Sequence, residues 1–298
     1  MDIHTILPPS VLLLDLGGTL EYGGVVLPDA ARALDVVSGF RTSSGQRLPV
    51  ALVSNFTMPA LGSGPVEIER LFHEYVDMLS HLGLASYFQP PEQRITLSTQ
   101  AGVRKPHRAV FELALERLGV APRLDACLFV TESAEHVGAC RALGMHALRF
   151  GPDGDFDVWS AGPLILARAL GIRDAEALRP ALDLRLERRF GRRLLRVESI
   201  ADASDGGARI SAMVGDALDT PTPVAADITL ARSGDIAALA VDGSPVDARA
   251  DADLYRRVLE DNAMIAPAGA ELPPGATHTL EPAPAGDMAL RRRRYSIL

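Results

Sequence analysis

Through the first half of the chain, short and continuously apolar runs alternate with longer segments whose apolar residues recur at helical spacing. "SVLLLDL" (10–16) and "LPVALVSN" (48–55) are uninterrupted apolar stretches, as expected of parallel strands buried on both faces, and "RITLS", "ACLFVTE" and "HALRF" repeat the theme. Between them, "PDAARALDVVSGF" follows a proline into helical periodicity. "PVEIERLFHEYVDMLSHLGL" predicts a long amphipathic helix, with Val66, Ile68, Leu71, Phe72, Tyr75, Met78, Leu79 and Leu82 near one face and Gly83 at its end. "PHRAVFELALERLGV" and "AEHVGACRALGM" predict two more helices. This alternation implies a parallel sheet with helices on both faces, in which ligands gather at the carboxyl ends of the strands. Asp15, Ser54 and Glu132 fall at or just beyond strand ends, and Lys105 falls in a loop.

Past "GPDGDFDVWSAGPLILARALGI" the pattern changes. A charged helix, "AEALRPALDLRLERRFG", leads into short strands separated by Pro, Gly and Asp turns. "ADITLARSGDIAALAVDG" predicts a hairpin around Ser233-Gly234-Asp235, and "DADLYRRVLEDNAMI" one more helix. "MVGDALDTP" reads as a turn, His278 as structural, and the proline-rich tail as ending in a strand. A boundary near residue 172 separates a Rossmann-like α/β domain (1–171) from a smaller C-terminal α+β domain (172–298).

A length of 298 residues with 47% hydrophobic content accommodates either one large domain or two ordinary ones. The net charge of −8 argues against nucleic acid as a partner, and the basic "RRRRYSIL" reads as a solvated tail or edge strand. Two cysteines, Cys127 and Cys140, offer neither a disulfide framework nor a Cys-rich zinc site and suit a reducing compartment. No apolar run reaches the roughly 20 residues a membrane span needs, and "MDIHTILPPSVLLLDLGG" has no basic region or cleavage site of a signal peptide. The expected location is the cytoplasm, with no membrane partner.

Four segments, "LLLDLGGTL", "VALVSN", "GVRKP" and "LFVTESAEHVGACRALGM", resemble in order and spacing the four motifs of the haloacid dehalogenase superfamily, whose members are mostly phosphatases. The resemblance covers roughly residues 9–171 and implies that superfamily's Rossmann-like fold. It implies Asp15 as a nucleophile able to form an acyl-phosphate, Ser54 as a hydrogen-bond partner of the phosphoryl group, and Asn55 beside it. Lys105 would balance the crowded negative charge. Gly17 and Gly18 would allow a tight turn and leave amides free to face an anion. Magnesium would sit on Asp15, the Gly17 backbone carbonyl and Glu132, with His136 as a further metal or proton-transfer candidate.

The chain departs from the family at four positions. Gly17 stands where relatives carry a second loop aspartate, the general acid and base, whose loss costs about 10²–10⁴-fold. Thr131, Glu132 and His136 stand where the fourth motif has Gly, Asp and Asp. The implied function is a metal-assisted phosphohydrolase acting on a phosphorylated small molecule or macromolecule. The alternative is a pseudoenzyme whose core binds or scaffolds. A dehalogenase is disfavoured because neither usual insertion point has room for a cap, and phosphonate cleavage also because no lysine lies between Leu20 and Pro49 to form a Schiff base. A capless core has an open site; residues 172–298 would shield it, recruit a macromolecular substrate, or bind a protein partner of their own.

Overall fold

The computed structural model describes residues 8–42, 44–60, 64–216, 222–248, 265–267, 278–282 and 288–292. The chain divides into two units: Met1–Leu27, Leu34–Asp157 and Ala169–Ile172 form the first, and Pro28–Ala33, Val158–Arg168 and Arg173–Leu298 the second. Among the described residues, no helix is long and apolar enough to cross a membrane.

The chain begins with β1 (Val11–Leu14), the two-residue strands β2 (Glu21–Tyr22) and β3 (Val25–Val26), α1 (Ala30–Ser38), β4 (Val50–Ser54) and α2 (Pro65–His81). Next come α3 (Pro91–Arg94), β5 (Ile95–Leu97), α4 (Ser98–Ala101), α5 (Arg108–Arg117), β6 (Cys127–Thr131), α6 (Ala134–Ala142) and β7 (His146–Arg149). The sheet of the first unit has the order β5-β4-β1-β6-β7, and every neighbouring pair is parallel. Its central strand β1 is buried at all four positions, which is why its sequence does not alternate. Val11 and Leu13 join Ala51, Val53, Val110, Phe111, Leu115 and Phe129 in one core cluster, while Leu12, Leu14 and Leu52 are buried just as completely. The carboxyl ends of β1, β4 and β6 are brought side by side, so Asp15, Ser54 and Glu132 converge from positions far apart in the chain.

α2 follows the expected pattern in part. Leu71, Phe72, Tyr75 and Leu79 are buried, but Val66 is exposed because it sits in the first turn, before the helix reaches the core. Gly83, with φ of 71°, closes the helix in a conformation that other residues adopt only at a cost.

The second unit contains the helices α7 (Gly162–Ala169, all but its last residue) and α8 (Ala175–Phe190). Its antiparallel sheet is made of β8 (Arg192–Asp202), β9 (Ala208–Asp216), β10 (Val224–Leu230), β11 (Ile236–Val241) and β12 (Ser244–Pro245), in the order β12-β11-β10-β9-β8. A further three-stranded sheet joins β13 (Ile265–Pro267), β14 (His278–Pro282) and β15 (Met288–Arg292). The molecule is therefore α/β with an added α+β region. The hairpin lies where the sequence predicts it, β10 to β11 through residues 231–235.

Two expectations fail. The first two strands after α8 are long, not short: β8 runs 11 residues and β9 nine, and two register irregularities break the alternation that would reveal β8. Met213–Asp216 is the end of β9 rather than a turn, and 217–221 lie outside the described residues. The helix expected over 251–265 also lies outside them, except that Ile265 begins a strand. His278 opens β14.

Candidate active site

Asp15 follows the last residue of β1, and its backbone N–H still donates to the Val130 carbonyl at 2.9 Å. Its carboxylate is buried and accepts three contacts: the Leu16 N–H at 2.9 Å and Lys105 Nζ at 2.5 Å on Oδ1, and the Thr131 hydroxyl at 2.9 Å on Oδ2. A carboxylate offers about four lone-pair sites, so capacity remains on Oδ2.

Lys105 is held as firmly. Its ammonium donates to the Val53 carbonyl at 2.9 Å and lies 5.3 Å from the centre of the Phe129 ring. The Asn55 side chain grips its backbone: the Lys105 N–H donates to Asn55 Oδ1 at 2.7 Å, and Asn55 Nδ2 lies 3.4 Å from the Lys105 carbonyl. Asn55 thus positions the lysine across fifty residues of chain. The Ser54 hydroxyl is buried and has a long 3.4 Å contact to the Asn55 carbonyl. The buried Tyr75 hydroxyl faces Ser54 without closing a well-formed bond. Burial raises the Tyr75 hydroxyl well above its ordinary value, and the charges of Asp15 and Glu21 add to that.

On the other side, Glu132 begins the loop after β6. Its Oε2 accepts from Thr19 Oγ1 at 2.9 Å and from Thr131 Oγ1 at 3.2 Å, and its N–H donates back to Thr19 Oγ1 at 3.0 Å. One Thr131 proton therefore serves two carboxylates, those of Asp15 and Glu132. Burial raises the Glu132 carboxyl above its ordinary value and the Asp15 charge raises it further, against a smaller pull from its hydrogen bonds and Lys105. His136, in the first turn of α6, has a buried Nδ1 with no hydrogen bond, 4.0 Å from Asp15 Oδ2. Burial and the Lys105 charge lower its pKa, so the ring is neutral at pH 7.

The loop after Asp15 departs from the expected pattern. Gly18 adopts φ of 68° and carries the turn, whereas Gly17 is not left-handed. The Gly18 amide is not free for an anion; it donates to the Glu21 carbonyl at 2.7 Å. A Cβ at Gly17 would meet nothing closer than Glu21 Oε1, at 3.7 Å. Burial raises the Glu21 carboxyl above its ordinary value, partly offset by the Gly24 N–H donating to Oε2 at 2.9 Å.

Asp15, Ser54, Lys105, Glu132 and His136 are thus brought together, with Asn55 in support. The sequence pattern gives Thr19 and Glu21 no role at the site, Tyr75 only a place on the apolar face of a helix, and Thr131 only a departure from the motif. Thr19 was visible as the last polar residue of "DLGGT"; the other three carry no local signal. Burial pushes the Cys127 thiol up to about 12 and Cys140 up to about 11, so neither thiol is a nucleophile at neutral pH. A surface cavity of about 340 Å³, lined by Ile68, Phe72, His73, Glu92 and Arg117 among others, contains none of the site's groups.

Magnesium suits part of this donor set. Asp15 and Glu132 supply hard carboxylate oxygens that converge on one hydroxyl, and the ion commonly binds through one or two carboxylates with substrate and water completing its shell. His136 is a poorer match, since imidazole favours softer metals. Among the described residues, no group of three or more His, Cys, Asp or Glu side chains could hold a metal ion, so two carboxylates are what the protein side chains offer.

No family model and no curated protein matches the chain. Thirteen chains of solved structures resemble it, among them these three. An uncharacterized protein from Corynebacterium glutamicum is 17% identical, over 55% of this chain and 97% of that one, with a TM-score of 0.36. A HAD family hydrolase from Deinococcus radiodurans, with bound phosphate and sodium, is 20% identical over 59% and 95%, with a TM-score of 0.33. The putative HAD-hydrolase YfnB from Bacillus subtilis, bound to magnesium, is 17% identical with a TM-score of 0.32; the match covers 43% of this chain and 45% of that one. All three scores fall below 0.5, and the fold rests on the strand order above. By that order, the first unit is a Rossmann-like parallel sheet flanked by helices.

Proposed function

We propose that the first unit is a phosphohydrolase in which Asp15 attacks the phosphorus of a phosphate ester. The observation that carries this reading is the setting of Asp15: a buried carboxylate at a central strand end, fixed by a buried lysine, with unused capacity on the oxygen that faces the unpartnered His136 nitrogen. A buried ion pair is a poor stabilising device compared with apolar packing, so its presence here fits chemistry better than structure.

Asp15 Oδ forms a bond to phosphorus as the ester P–O bond breaks, giving an acyl-phosphate and, once the departing oxygen has taken up a proton that the attacking water later replaces, an alcohol. Water then attacks the phosphorus, releasing inorganic phosphate and restoring the carboxylate. Lys105 holds Asp15 in place and offsets charge on the phosphoryl oxygens. Ser54 offers its hydroxyl to one of those oxygens, and Asn55 keeps Lys105 in register. Lys105 already balances Asp15, however, while a phosphate ester brings about two further negative charges. A magnesium ion held by Asp15 and Glu132 would supply the missing positive charge.

One observation favours a second reading, a binding or scaffolding module. The network Lys105–Asp15–Thr131–Glu132–Thr19 closes on itself, and the Gly18 amide is spent within the loop. Hydrolysis of an aryl phosphate, with and without Mg²⁺ or Mn²⁺, separates the two readings. Metal-dependent turnover that falls at least about 10³-fold in Asp15→Asn supports the hydrolase. Equal rates for the two proteins with every metal support the module.

A further inference from the structure

We propose that Glu21 supplies the carboxyl group that meets the leaving-group oxygen of the ester, filling the place that Gly17 leaves without a side chain. This rests on the phosphohydrolase reading and names its proton-transfer residue.

Expelling an alkoxide requires a proton at the departing oxygen, and the residue at position 17 cannot provide one. Its bareness is not forced by the backbone, because Gly17 is not left-handed and a Cβ there would fit at ordinary contact distance. The nearest atom to that Cβ is a carboxylate oxygen, Glu21 Oε1, at 3.7 Å. An aspartate at 17 would carry its own oxygens roughly 2.4 Å from the same Cβ by ordinary bond lengths. Glu21 therefore presents its oxygen just outside the shell that the missing carboxylate would occupy.

The chain is folded to put it there. The Leu16 carbonyl accepts from the N–H groups of Leu20 at 2.8 Å and Glu21 at 3.2 Å, while Gly18 N–H donates to the Glu21 carbonyl at 2.7 Å. Gly17 and Glu21 form a bridge, and β2 then pairs with β3. Within the side chain the two oxygens are differentiated: Gly24 N–H anchors Oε2 at 2.9 Å, and Oε1 is the one turned toward position 17. The charges of Glu21 and Asp15 both act on the Tyr75 hydroxyl that faces Ser54.

In the forward step, the Asp15–phosphorus bond forms, the ester P–O bond breaks, and the Glu21 carboxyl proton passes to the departing oxygen, giving ROH. In the second step, the Glu21 carboxylate takes a proton from water as that oxygen bonds to phosphorus and the Asp15–phosphorus bond breaks. Phosphate leaves and both carboxyl groups return to their starting states.

The test compares an alkyl phosphate with p-nitrophenyl phosphate, whose leaving group needs little protonation. It uses the full chain with Mg²⁺ and four proteins: wild type, Asp15→Asn, Glu21→Gln and the exchange variant Gly17→Asp/Glu21→Gln. Glutamine retains an acceptor for Gly24 N–H, and thermal melting checks that each variant folds. Glu21→Gln is expected to lose about 10²–10³-fold in kcat/KM on the alkyl ester and less than about 10-fold on the aryl ester. The exchange variant should recover at least about 10-fold on the alkyl ester. Equal losses on both esters without recovery, or no loss at all, overturn the role of Glu21 while wild type still exceeds Asp15→Asn. Wild-type rates no higher than Asp15→Asn on every substrate overturn the phosphohydrolase reading and the inference with it.

Discussion

On one side of Asp15, Lys105 divides its ammonium between a carboxylate and the Val53 carbonyl, while Asn55 locks its backbone from fifty residues away. On the other side, Glu132 faces Asp15 with a shared hydroxyl proton between them; among the described residues its carboxylate has no ion pair, and the His136 Nδ1 is buried without a hydrogen bond. On the first side the charges are paired, although the Ser54 and Tyr75 hydroxyls are not well bonded, and the residues expected of the motifs are retained. The second holds every departure in the fourth motif, and its polar capacity is unfilled. The difference teaches where a ligand has work to do: a group bringing positive charge or new hydrogen bonds gains most beside Glu132 and His136 and least beside Lys105. Each experiment below perturbs one side and asks whether the contrast holds.

The largest effect is expected from Lys105→Met. Both members of its ion pair are almost inaccessible, with side-chain exposures of 1% and 8%, so the substitution leaves Asp15 buried without its counter-charge. Breaking such a pair costs about 3–5 kcal/mol. Urea unfolding should show that loss, and Lys105→Met/Asp15→Asn should regain a large part of it because no uncompensated charge then remains. If the double variant is no more stable than the single one, the first side is not held by this pair and the contrast collapses.

Thr131→Val probes the junction of the two sides with a smaller expected effect. Valine keeps the shape and removes the one proton that Asp15 and Glu132 share. Leaving buried acceptors unsatisfied costs about 1–3 kcal/mol, and Glu132 should retain part of its satisfaction through Thr19. Stability lost in metal-free buffer and restored by added Mg²⁺ would sharpen the picture of a hydroxyl standing in for charge. Unchanged stability would mean the two carboxylates are not coupled through Thr131.

How much of this was legible beforehand follows the same division. β1, β4 and β6 are buried on both faces, so continuous apolar runs announced them, and the polar residue ending each run marked the site. Asp15, Ser54 and Glu132 were readable for that reason, and Lys105, in its loop, only through the resemblance of "GVRKP" to a motif. The Thr131 bridge spans 116 residues to Asp15 and depends on a side-chain rotamer, which no periodicity encodes. Asn55 is expected beside Ser54 at a ligand, and only the three-dimensional path of the Lys105 loop reveals its hydrogen bonds to the Lys105 backbone. Glu21 sits on a two-residue strand, too short for any pattern, and a left-handed Gly18 turn brings it beside Gly17. In the second unit, β10 and β11 were readable from their turn. β8 was not, because bulges and exposed arginines mask its alternation.

The smallest and most specific effect concerns His136 and pH. Burial and the nearby Lys105 charge lower its pKa from the ordinary 6.5, while Asp15 and Glu135 pull the other way. As pH falls below 6.5, the unfolded chain takes up this proton before the folded one does, so stability is present above 6.5 and lost as pH falls through the lowered folded value. Glu132 acts in the opposite sense: its raised folded pKa gives stability that is present below 4.5 and lost as pH rises through that folded value. The two trends partly cancel in the wild type, which hides both. His136→Gln removes one of them. Urea unfolding from pH 5 to 8 should give a stability difference between variant and wild type that is constant above 6.5 and moves in favour of the variant as pH falls below it. A difference that does not vary with pH would mean that His136 carries no electrostatic strain. The unsatisfied side would then be reduced to Glu132 alone.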